Sequence, residues 1–303
     1  DRSPSRGLGD VYKRQEDLPW QTPGGALITS GEFVANLDTA LAAAGWGDIT
    51  KRRNQAMDHG RLYGVGLAMY AENDGSTPTE FAEVAVSGEG RITAMVGTQD
   101  FGMGHSTMYS QILSEKLGVN MEEIDVVFGD TDKVKRGAGS HGSRSARMGG
   151  TAAVMSADKV ILQARVEAAE ILETAVADIE FADGHFTVAG TDRTVTLYQV
   201  AASIESSGKH LAEEADFNAG PEVISNGVHI CELTIEPSDG TIHLEVYCVV
   251  AEVGTIVNPI IVHGQLHGGV TQGIGQALLE LSLIHISEPT RRTPISYAVF
   301  CLK

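Results

Sequence analysis

The chain has 303 residues, with 22 Lys and Arg against 40 Asp and Glu, which gives a formal net charge of −18. An acidic balance of this size disfavours nucleic acid and anionic membrane surfaces as partners. No apolar run reaches the ~20 residues of a membrane-spanning helix. None of the three cysteines forms a Cys-x-x-Cys pair, so no zinc or iron–sulfur site is indicated in this chain. The sequence predicts a soluble, cytoplasmic protein.

Both ends of the chain match translated sequencing-adapter DNA. Residues 10–15 read DVYKRQ, which back-translates to the mosaic end of a transposon-based adapter. Residues 281–291, LSLIHISEPTR, fit the reverse complement of the same adapter, and the last nine residues fit the primer that follows it. We therefore expect 1–15 and 281–303 to be non-native and to pack on nothing specific. Residues 16–280 hold 15 Lys and Arg against 37 Asp and Glu, a net charge of −22.

Residues 16–60 are predicted to be the tail of an upstream domain and its linker. Apolar residues recur at helical spacing from Phe33 to Ala44, and Gly45 ends the pattern. The basic cluster at 51–53 favours a solvated helix face over a partner site.

A hairpin leads into the part of the chain that carries the motifs. Residues 62–70 and 81–86 have the composition of strands, and 91–96 alternates as the hairpin partner of the second. Two glycine-rich stretches follow, GTQDFGMGH from Gly97 and GDTDKVKRGAGSHGSRSARMGG from Gly129. Each runs into an amphipathic pattern, which predicts a turn followed by a helix.

The two glycine-rich stretches have the features of a site for an elongated, phosphate-bearing cofactor. A helix N-terminus offers unpaired N–H groups and partial positive charge. We expect Ser143 or Ser145 to cap a long helix, with Arg144 and Arg147 on one face as forked donors to phosphate. The alternative is that both arginines pair with carboxylates, such as those of the GDTD motif, Asp130 or Asp132. These two aspartates are expected to hold turns rather than magnesium.

The second half of the chain alternates helices and hairpins. We predict one helix from Ala146 to Ile179 and a hairpin with an Asp-Gly turn within 181–197. A short helix at 198–206 and an irregular surface loop at 208–225 follow.

Residues 227–236 and 242–250 then form an antiparallel hairpin. The spacing of His229 and Glu232 places them on opposite faces of a strand, which argues against a shared metal ion. The last motif, NPIIVHGQLHGGVTQGIGQALLE from Asn258 to Glu280, predicts a glycine-rich helix suited to close packing.

Four motifs resemble those of a known family and occur in the same order along the chain: GTQDFGMGH, GDTD, GSRS and the motif from Asn258. From about Asp17 to Glu280 the sequence resembles the molybdenum-binding large subunit of carbon monoxide dehydrogenase-type molybdenum hydroxylases. That group belongs to the xanthine dehydrogenase and aldehyde oxidase family. The resemblance implies an α+β fold of antiparallel β-hairpins with packed helices. It also implies that residues 61–280 are a truncated part of the second molybdopterin-binding domain.

The resemblance also implies the cofactors and partners. The cofactor is molybdopterin cytosine dinucleotide with its molybdenum, and a hetero-oligomer adds an iron–sulfur small subunit and a medium subunit that carries FAD. In this family, oxygen bound to molybdenum attacks an electrophilic carbon, and the electrons leave through the partner subunits. The substrate is carbon monoxide, or the carbon of an aldehyde or N-heterocycle. The open alternative is a catalytically inactive paralogue that binds only the cofactor or the partner subunits.

Matching positions in the motifs define the expected site. The cofactor-binding residues are Gln99, Gly102, Met103, Gly104, His105, Gly142, Ser143, Arg144, Ser145, Arg147, Gln265 and Gln272. We assign no catalytic or metal-binding residue, because the family's glutamate base and substrate loop are not among the motifs present, and Glu288 lies in predicted adapter sequence. We therefore expect this segment alone to show no hydroxylase activity.

Met103 and His105 are the two informative positions of the first loop. The family loop normally reads Gly-Gln-Gly, and Met103 cannot supply the hydrogen bonds of that glutamine amide. Gln99 is near enough in sequence to compensate. His105 alone would be an ordinary histidine at a helix start, whereas its place in the motif favours cofactor contact.

Overall fold

The computed structural model describes residues 18–21, 25, 27–75, 79–220 and 223–280. The segments matched to adapter DNA, 1–15 and 281–303, lie outside these residues. The strands are β1 (Trp20–Gln21), β2 (Leu27–Ile28), β3 (Leu62–Asp74), β4 (Thr79–Ser87), β5 (Arg91–Val96), β6 (Ile124–Val127), β7 (Ile179–Ala182), β8 (His185–Val188), β9 (Thr194–Thr196), β10 (Leu211–Asn218), β11 (Val223–Ile235) and β12 (Ile242–Glu252). The helices are α1 (Phe33–Ala43), α2 (Ile49–Asp58), α3 (His105–Leu117), α4 (Gly150–Ile171), α5 (Leu197–Ser206) and α6 (Pro259–Leu278).

The described residues divide into two compact units. The first unit contains the described residues up to 73, together with 223–256 and 263–280. The second unit contains the described residues of 74–220 and 257–262. The predicted boundary at residue 61, between an upstream tail and the second molybdopterin-binding domain, stays a prediction.

The first unit is built on a three-stranded sheet with the order β12-β11-β3. Helix α1 packs on this sheet, and Ala40 and Ala44 bury themselves against Val228 and Ile230. The predicted α1 is confirmed, and Gly45, at φ 59°, follows its C-terminus in the left-handed conformation that glycine favours. The predicted hairpin of β11 and β12 is also confirmed.

The predicted solvated face at 51–53 is wrong for Arg52. Its guanidinium donates to the fully buried carboxylate of Glu232 and to the carbonyl oxygens of Ala44 and Gly45, each at 3.0 Å. The Tyr63 hydroxyl donates to the same carboxylate at 2.5 Å. Burial raises the pKa of Glu232, but the bonds from Arg52 and Tyr63 lower it by more, so the pKa lies below its ordinary value. The buried carboxylate of Glu232 on β11 therefore binds one of the three basic residues at 51–53.

The second unit is built on a four-stranded sheet with the order β10-β4-β5-β6. The predicted hairpin of β4 and β5 is confirmed, and β5 and β6 run parallel. Alternate side chains of β4 and β5 are buried in the core: Ala82, Val84, Val86, Ile92, Ala94 and Val96. Helix α4 packs on β4 and β10, and α3 packs on α4 and β6. The alternation of buried residues in β4 and β5, with period 2, is why the sequence predicts these two strands clearly.

The structure corrects two predictions in the second unit. The predicted helix from 146 to 179 is confirmed in part, because a π-helical turn, Ser145–Gly149, leads into α4, but α4 ends at Ile171 and β7 begins at Ile179. The predicted irregular loop at 208–225 contains β10, which pairs with β4 along its whole length. Acidic residues dominate the outer positions of β10, so its sequence reads as a polar loop although Leu211 and Ala215 are buried.

The predicted Asp-Gly turn, Asp183 and Gly184, joins β7 to β8, and β9 adds a third strand. None of the helices in the described part of the chain combines the length and the apolar character that crossing a bilayer requires. Among the same residues, no group of three or more His, Cys, Asp or Glu side chains is placed to hold a metal ion.

Candidate functional site

Both glycine-rich stretches begin at the same end of the four-stranded sheet, after β5 and β6. The first glycine loop (Gly97–Gly104) connects β5 to α3, and the second glycine loop (Gly129–Arg144) connects β6 to the turn before α4. Because β5 and β6 are parallel neighbours, their carboxyl ends lie side by side. Ligands of open α/β sheets bind outside the carboxyl ends of parallel strands. The topology therefore brings together the two stretches that the sequence singled out.

The two loops touch through glycine backbone. A Cβ atom added to Gly97 would lie 2.5 Å from the Cα of Gly137, and one added to Gly137 would lie 2.3 Å from the Cα of Gly97. The N–H group of Gly139 donates to the carbonyl oxygen of Gly97 at 3.1 Å. Glycine is required at this contact because no side chain has room there.

Hydrogen bonds of serine hydroxyl groups connect the first loop to the second. The Oγ of Ser140 accepts from the Gln99 N–H at 2.9 Å and donates to the Gln99 carbonyl at 2.6 Å. The Ser145 hydroxyl donates to the same Oγ at 3.0 Å. Nδ1 of His105 lies 2.7 Å from the Gln99 carbonyl, and it therefore carries a proton to donate there. Three predicted site residues, Gln99, His105 and Ser145, meet around Ser140.

Asp100 shapes the N-terminus of α3. Its carboxylate accepts from the N–H groups of Gly102 and Met103, each at 2.9 Å, and of Ser106 at 3.1 Å. Burial raises the pKa of Asp100, but these three bonds and the nearby His105 lower it by more, so the pKa lies below its ordinary value. A carboxylate of the protein thus already occupies part of the positive end of this helix.

Some backbone N–H groups near Asp100 have no hydrogen-bond acceptor in the described part of the chain. Within the described residues, the backbone N–H groups of Gly104, His105 and Thr107 have no protein acceptor. Gly102 (φ +104°) and Gly139 (φ +80°) leave open space where a Cβ atom would stand. A ligand can therefore approach the backbone of both loops closely.

Arg144 points into the protein. Its side chain is fully buried and forms an ion pair with the equally buried Glu80 on β4. It also donates to the carbonyl oxygens of Gly139 at 2.9 Å and Thr79 at 2.7 Å. Its Nε is buried without a hydrogen-bond partner in the described residues. The expectation of two unpaired arginines is therefore wrong for Arg144.

Arg147 lies one helical turn further on and is half-buried. Its guanidinium donates to the carbonyl oxygen of Asp74 at 2.6 Å. The alternative that the arginines pair with carboxylates is confirmed for Arg144, but its partner is Glu80 and not Asp130 or Asp132. Asp130 instead accepts from the Asp132 N–H at 3.1 Å and pairs with Lys133, so its predicted turn role is confirmed.

The predicted serine cap is wrong. Ser143 has φ 53° and lies before Arg144, which directly precedes the π-helical turn, and no side chain caps that turn. Ser145 is the first residue of the turn and directs its hydroxyl to the second loop instead. The carbonyl oxygen of Gly142 accepts from the Gly75 N–H at 3.0 Å.

The last motif forms α6, as predicted. Asn258 caps this helix, because its side-chain oxygen accepts from the N–H groups of Ile260 at 3.0 Å and Ile261 at 3.2 Å. Gln265 and Gln272 are exposed residues of the first unit, whereas both glycine loops belong to the second. The predicted close packing of the α6 glycines is not seen among the described residues, where Gly264 and Gly268 have no neighbour within 4 Å of a built Cβ.

Sequence reasoning missed three residues of this site: Asp100, Ser140 and Glu80. Asp100 could have been found, since an aspartate two residues before a glycine is a turn signal through its side-chain bond to the backbone. Ser140 lies inside the quoted motif but has no feature that separates it from Ser143. Glu80, a buried acid in a strand, gives no signal without its partner.

Comparison with known proteins defines the class. A sequence profile described as "Molybdopterin cofactor-binding domain" matches residues 39–302. The chain therefore belongs to the molybdopterin cofactor-binding domain family, and the predicted resemblance to molybdenum hydroxylase large subunits is confirmed. The mixed helix-and-strand fold is confirmed by the same comparisons.

Three relatives are similar over most of the chain. The gamma subunit of the 6-hydroxypseudooxynicotine dehydrogenase complex of Paenarthrobacter nicotinovorans is 34% identical over 88% of this chain and 35% of its own length. The structure of reconstituted CO dehydrogenase from Oligotropha carboxidovorans has TM-score 0.78 and 26% identity over 87% of this chain and 36% of that one. Quinoline 2-oxidoreductase from Pseudomonas putida 86 has TM-score 0.78 and 26% identity over 91% and 39%. The chain thus spans somewhat more than a third of each.

Proposed function

We propose that this chain is the cofactor-binding segment of a molybdenum hydroxylase large subunit, and that the whole protein is an oxidoreductase. The observation that carries the proposal is the junction of the two glycine loops at the carboxyl ends of β5 and β6. Both loops had been singled out from sequence as cofactor loops, and they share hydrogen bonds through Gln99 and Ser140.

The donor set fits a polar, elongated cofactor. The N–H groups of His105 and Thr107 have no acceptor in the described protein, and open space faces Gly102 and Gly139. Backbone amides bind the carbonyl, ring-nitrogen and phosphate groups of such a molecule without needing a specific side chain.

The proposed cofactor is molybdopterin cytosine dinucleotide, which supplies two-electron redox chemistry when bound. The chain's own residues orient it and exclude water. Gly102, Met103, Gly104 and His105 would hold it from the first loop, and Gly142, Ser143 and Ser145 from the second. Arg147 remains a proposed contact. Asp100 already accepts from two N–H groups of the first loop and from one of α3, so its carboxylate disfavours an anionic phosphate at these groups.

The proposed partners and substrates follow the relatives. The 6-hydroxypseudooxynicotine relative is a subunit of a dehydrogenase complex, so we propose a cytoplasmic hetero-oligomer with an iron–sulfur small subunit and an FAD-bearing medium subunit. The names of similar proteins refer to carbon monoxide, to the N-heterocycle quinoline and to aldehydes. Carbon monoxide, an aldehyde or an N-heterocycle is therefore the proposed substrate class.

The test is to purify the full-length protein with its bound groups and measure molybdenum and acid-released nucleotide per subunit. We expect about one molybdenum and one cytosine nucleotide for each subunit. Turnover is then assayed with carbon monoxide, an aldehyde and quinoline, using an electron-accepting dye. Stoichiometric cofactor without turnover of any substrate would favour the catalytically inactive paralogue, and absence of both metal and nucleotide would refute the proposal.

A further inference from the structure

We propose that Glu80 is a positioning residue of the cofactor site, and that Arg144 serves the site through Glu80 and the loop backbone rather than by touching the cofactor. The consequence for cofactor retention rests on the proposed function. The consequence for the loops rests on the contacts of this chain alone.

The carboxylate of Glu80 lies directly against the first glycine loop. One of its oxygens accepts from the Phe81 N–H at 2.9 Å, and a Cβ built on Gly97 would lie 2.2 Å from the same oxygen. The loop therefore passes over this carboxylate with no space for a side chain between them. The other oxygen receives the guanidinium of Arg144.

The guanidinium of Arg144 continues the connection to the second glycine loop. It donates to the carbonyl oxygen of Gly139, and the N–H of Gly139 donates to the carbonyl oxygen of Gly97. The same guanidinium donates to the carbonyl of Thr79, next to Glu80 on β4. A single ion pair thus touches the first loop, the second loop and the strand beneath them.

Burial of both charges favours the loop arrangement in which Glu80 and Arg144 stay paired. Both side chains are fully shielded from water, and a buried charge without its partner is strongly unfavourable. Arrangements of the loops that separate Glu80 from Arg144 are therefore disfavoured. Removing Glu80 leaves a buried cation, which relaxes towards solvent and withdraws the donor from Gly139. The loops then lose their common anchor.

The alternative, direct contact of Arg144 with a cofactor phosphate, gives the opposite expectation. Under that alternative, Glu80→Gln releases a guanidinium from its carboxylate and leaves it more available to an anion. Cofactor retention would then stay the same or improve. Arg144→Lys would keep a positive charge near the phosphate, whereas it cannot bridge Glu80, Gly139 and Thr79 at once.

The first experiment measures how fast the full-length, cofactor-loaded protein loses molybdenum and nucleotide during dialysis, at a temperature well below unfolding. We expect Glu80→Gln and Arg144→Lys each to speed the loss at least tenfold, and Glu80→Asp to restore part of the retention. A wild-type rate in Glu80→Gln would overturn the proposal. The control is Phe186→Ala, a core substitution of comparable cost to stability, which should leave the rate unchanged.

The second experiment needs no cofactor. Hydrogen exchange of the 303-residue chain follows the amides of Gln99 and Gly139, whose acceptors lie in the opposite loop. We expect at least tenfold faster exchange at both in Glu80→Gln and not in Phe186→Ala. Unchanged exchange would overturn the positioning role even if the full-length protein binds no cofactor, and absence of cofactor from the wild type counts against the proposed function only.

A third variant covers failure of Glu80→Gln to fold. Glu80→Met with Arg144→Met removes both charges, so no uncompensated ion stays buried. This double variant should fold and still show fast exchange at Gln99 and Gly139. Wild-type exchange in the folded double variant would show that the ion pair does not position the loops.

Discussion

The hydroxyl group of Tyr109 donates to the backbone carbonyl of Ser145 at 2.8 Å, across 36 positions of sequence. Tyr109 is fully buried on α3, and burial raises the pKa of its phenol. The bond joins the helix after the first glycine loop to the turn after the second. Both partners belong to the protein, so the bond forms without a ligand.

Tyr109→Phe should therefore destabilise the chain without changing its fold. The carbonyl of Ser145 and the hydroxyl of Thr98, 2.8 Å from the phenol oxygen, lose their partner. Leaving buried polar groups unsatisfied costs about 1–3 kcal/mol. Urea unfolding measures the difference, and Tyr247→Phe, at a partly exposed tyrosine of the first unit, should cost much less. Equal losses would contradict the role given to this bond.

Asp100→Ala should lower stability by roughly 0.5–2 kcal/mol, as loss of a helix-capping side chain does. Three N–H groups lose their acceptor at once. Because the folded-state pKa of Asp100 is lowered, its contribution is present above the ordinary value of 3.8 and fades as the pH falls through the folded-state pKa. Wild type and Asp100→Ala should therefore converge in stability as the pH falls below 3.8. The exposed Asp132→Ala serves as the control.

Arg52→Ala should reverse the acid dependence of stability that Glu232 contributes. In the wild type the lowered pKa of Glu232 stabilises the fold above pH 4.5, and this contribution is lost on acidification. Without Arg52, burial dominates and raises the pKa, so the variant loses stability as the pH rises above 4.5. Chemical unfolding from pH 4 to 7 tests the slope. Lys51→Ala, its exposed neighbour, should keep the wild-type slope, and so should Arg52→Ala if the ion pair is unimportant.

Met103→Gln should slow cofactor release from the full-length protein. The substitution restores an amide side chain at a half-buried position of the first loop, whose backbone N–H is already fixed by Asp100. One added hydrogen bond contributes roughly 0.5–1.5 kcal/mol, or about twofold to tenfold in dissociation rate. Molybdenum content during dialysis gives the rate. Met155→Gln, at a partly exposed methionine of α4, is the matched control, and an equal change in both variants would count against a site at Met103.

The sequence predicted the motifs and their neighbourhood better than the side-chain roles. Alternation in β4 and β5 and the helical spacing in α1 are local patterns, so these elements were recognisable. The strand β10 was not, because its acidic face reads as loop until Lys135 and Arg136 of the second glycine loop are seen to pair with Glu214 and Asp216.

The role of Arg144 shows the same limit at the site. Its type and position next to glycines and serines suited phosphate, and the motif match marked it correctly as part of the loop region. The direction in which the Arg144 side chain points is set by Glu80, 64 residues earlier in the chain, and no spacing rule connects the two. Long-range partners of buried charges are decided by the tertiary fold, which sequence patterns do not contain.

The pairing of β10 with β4 has a consequence for biosynthesis. Thr79 and Asn218, opposite each other in this ladder, are 139 residues apart, so the pairing is of high contact order and closes slowly. Glu214 and Asp216 on β10 hold Arg136, which begins the segment that contacts Gly97. During translation, this anchor is absent until the ribosome has released β10. Binding of the proposed cofactor is therefore expected only after β10 has left the ribosome, and a chain stalled before residue 211 should not retain it.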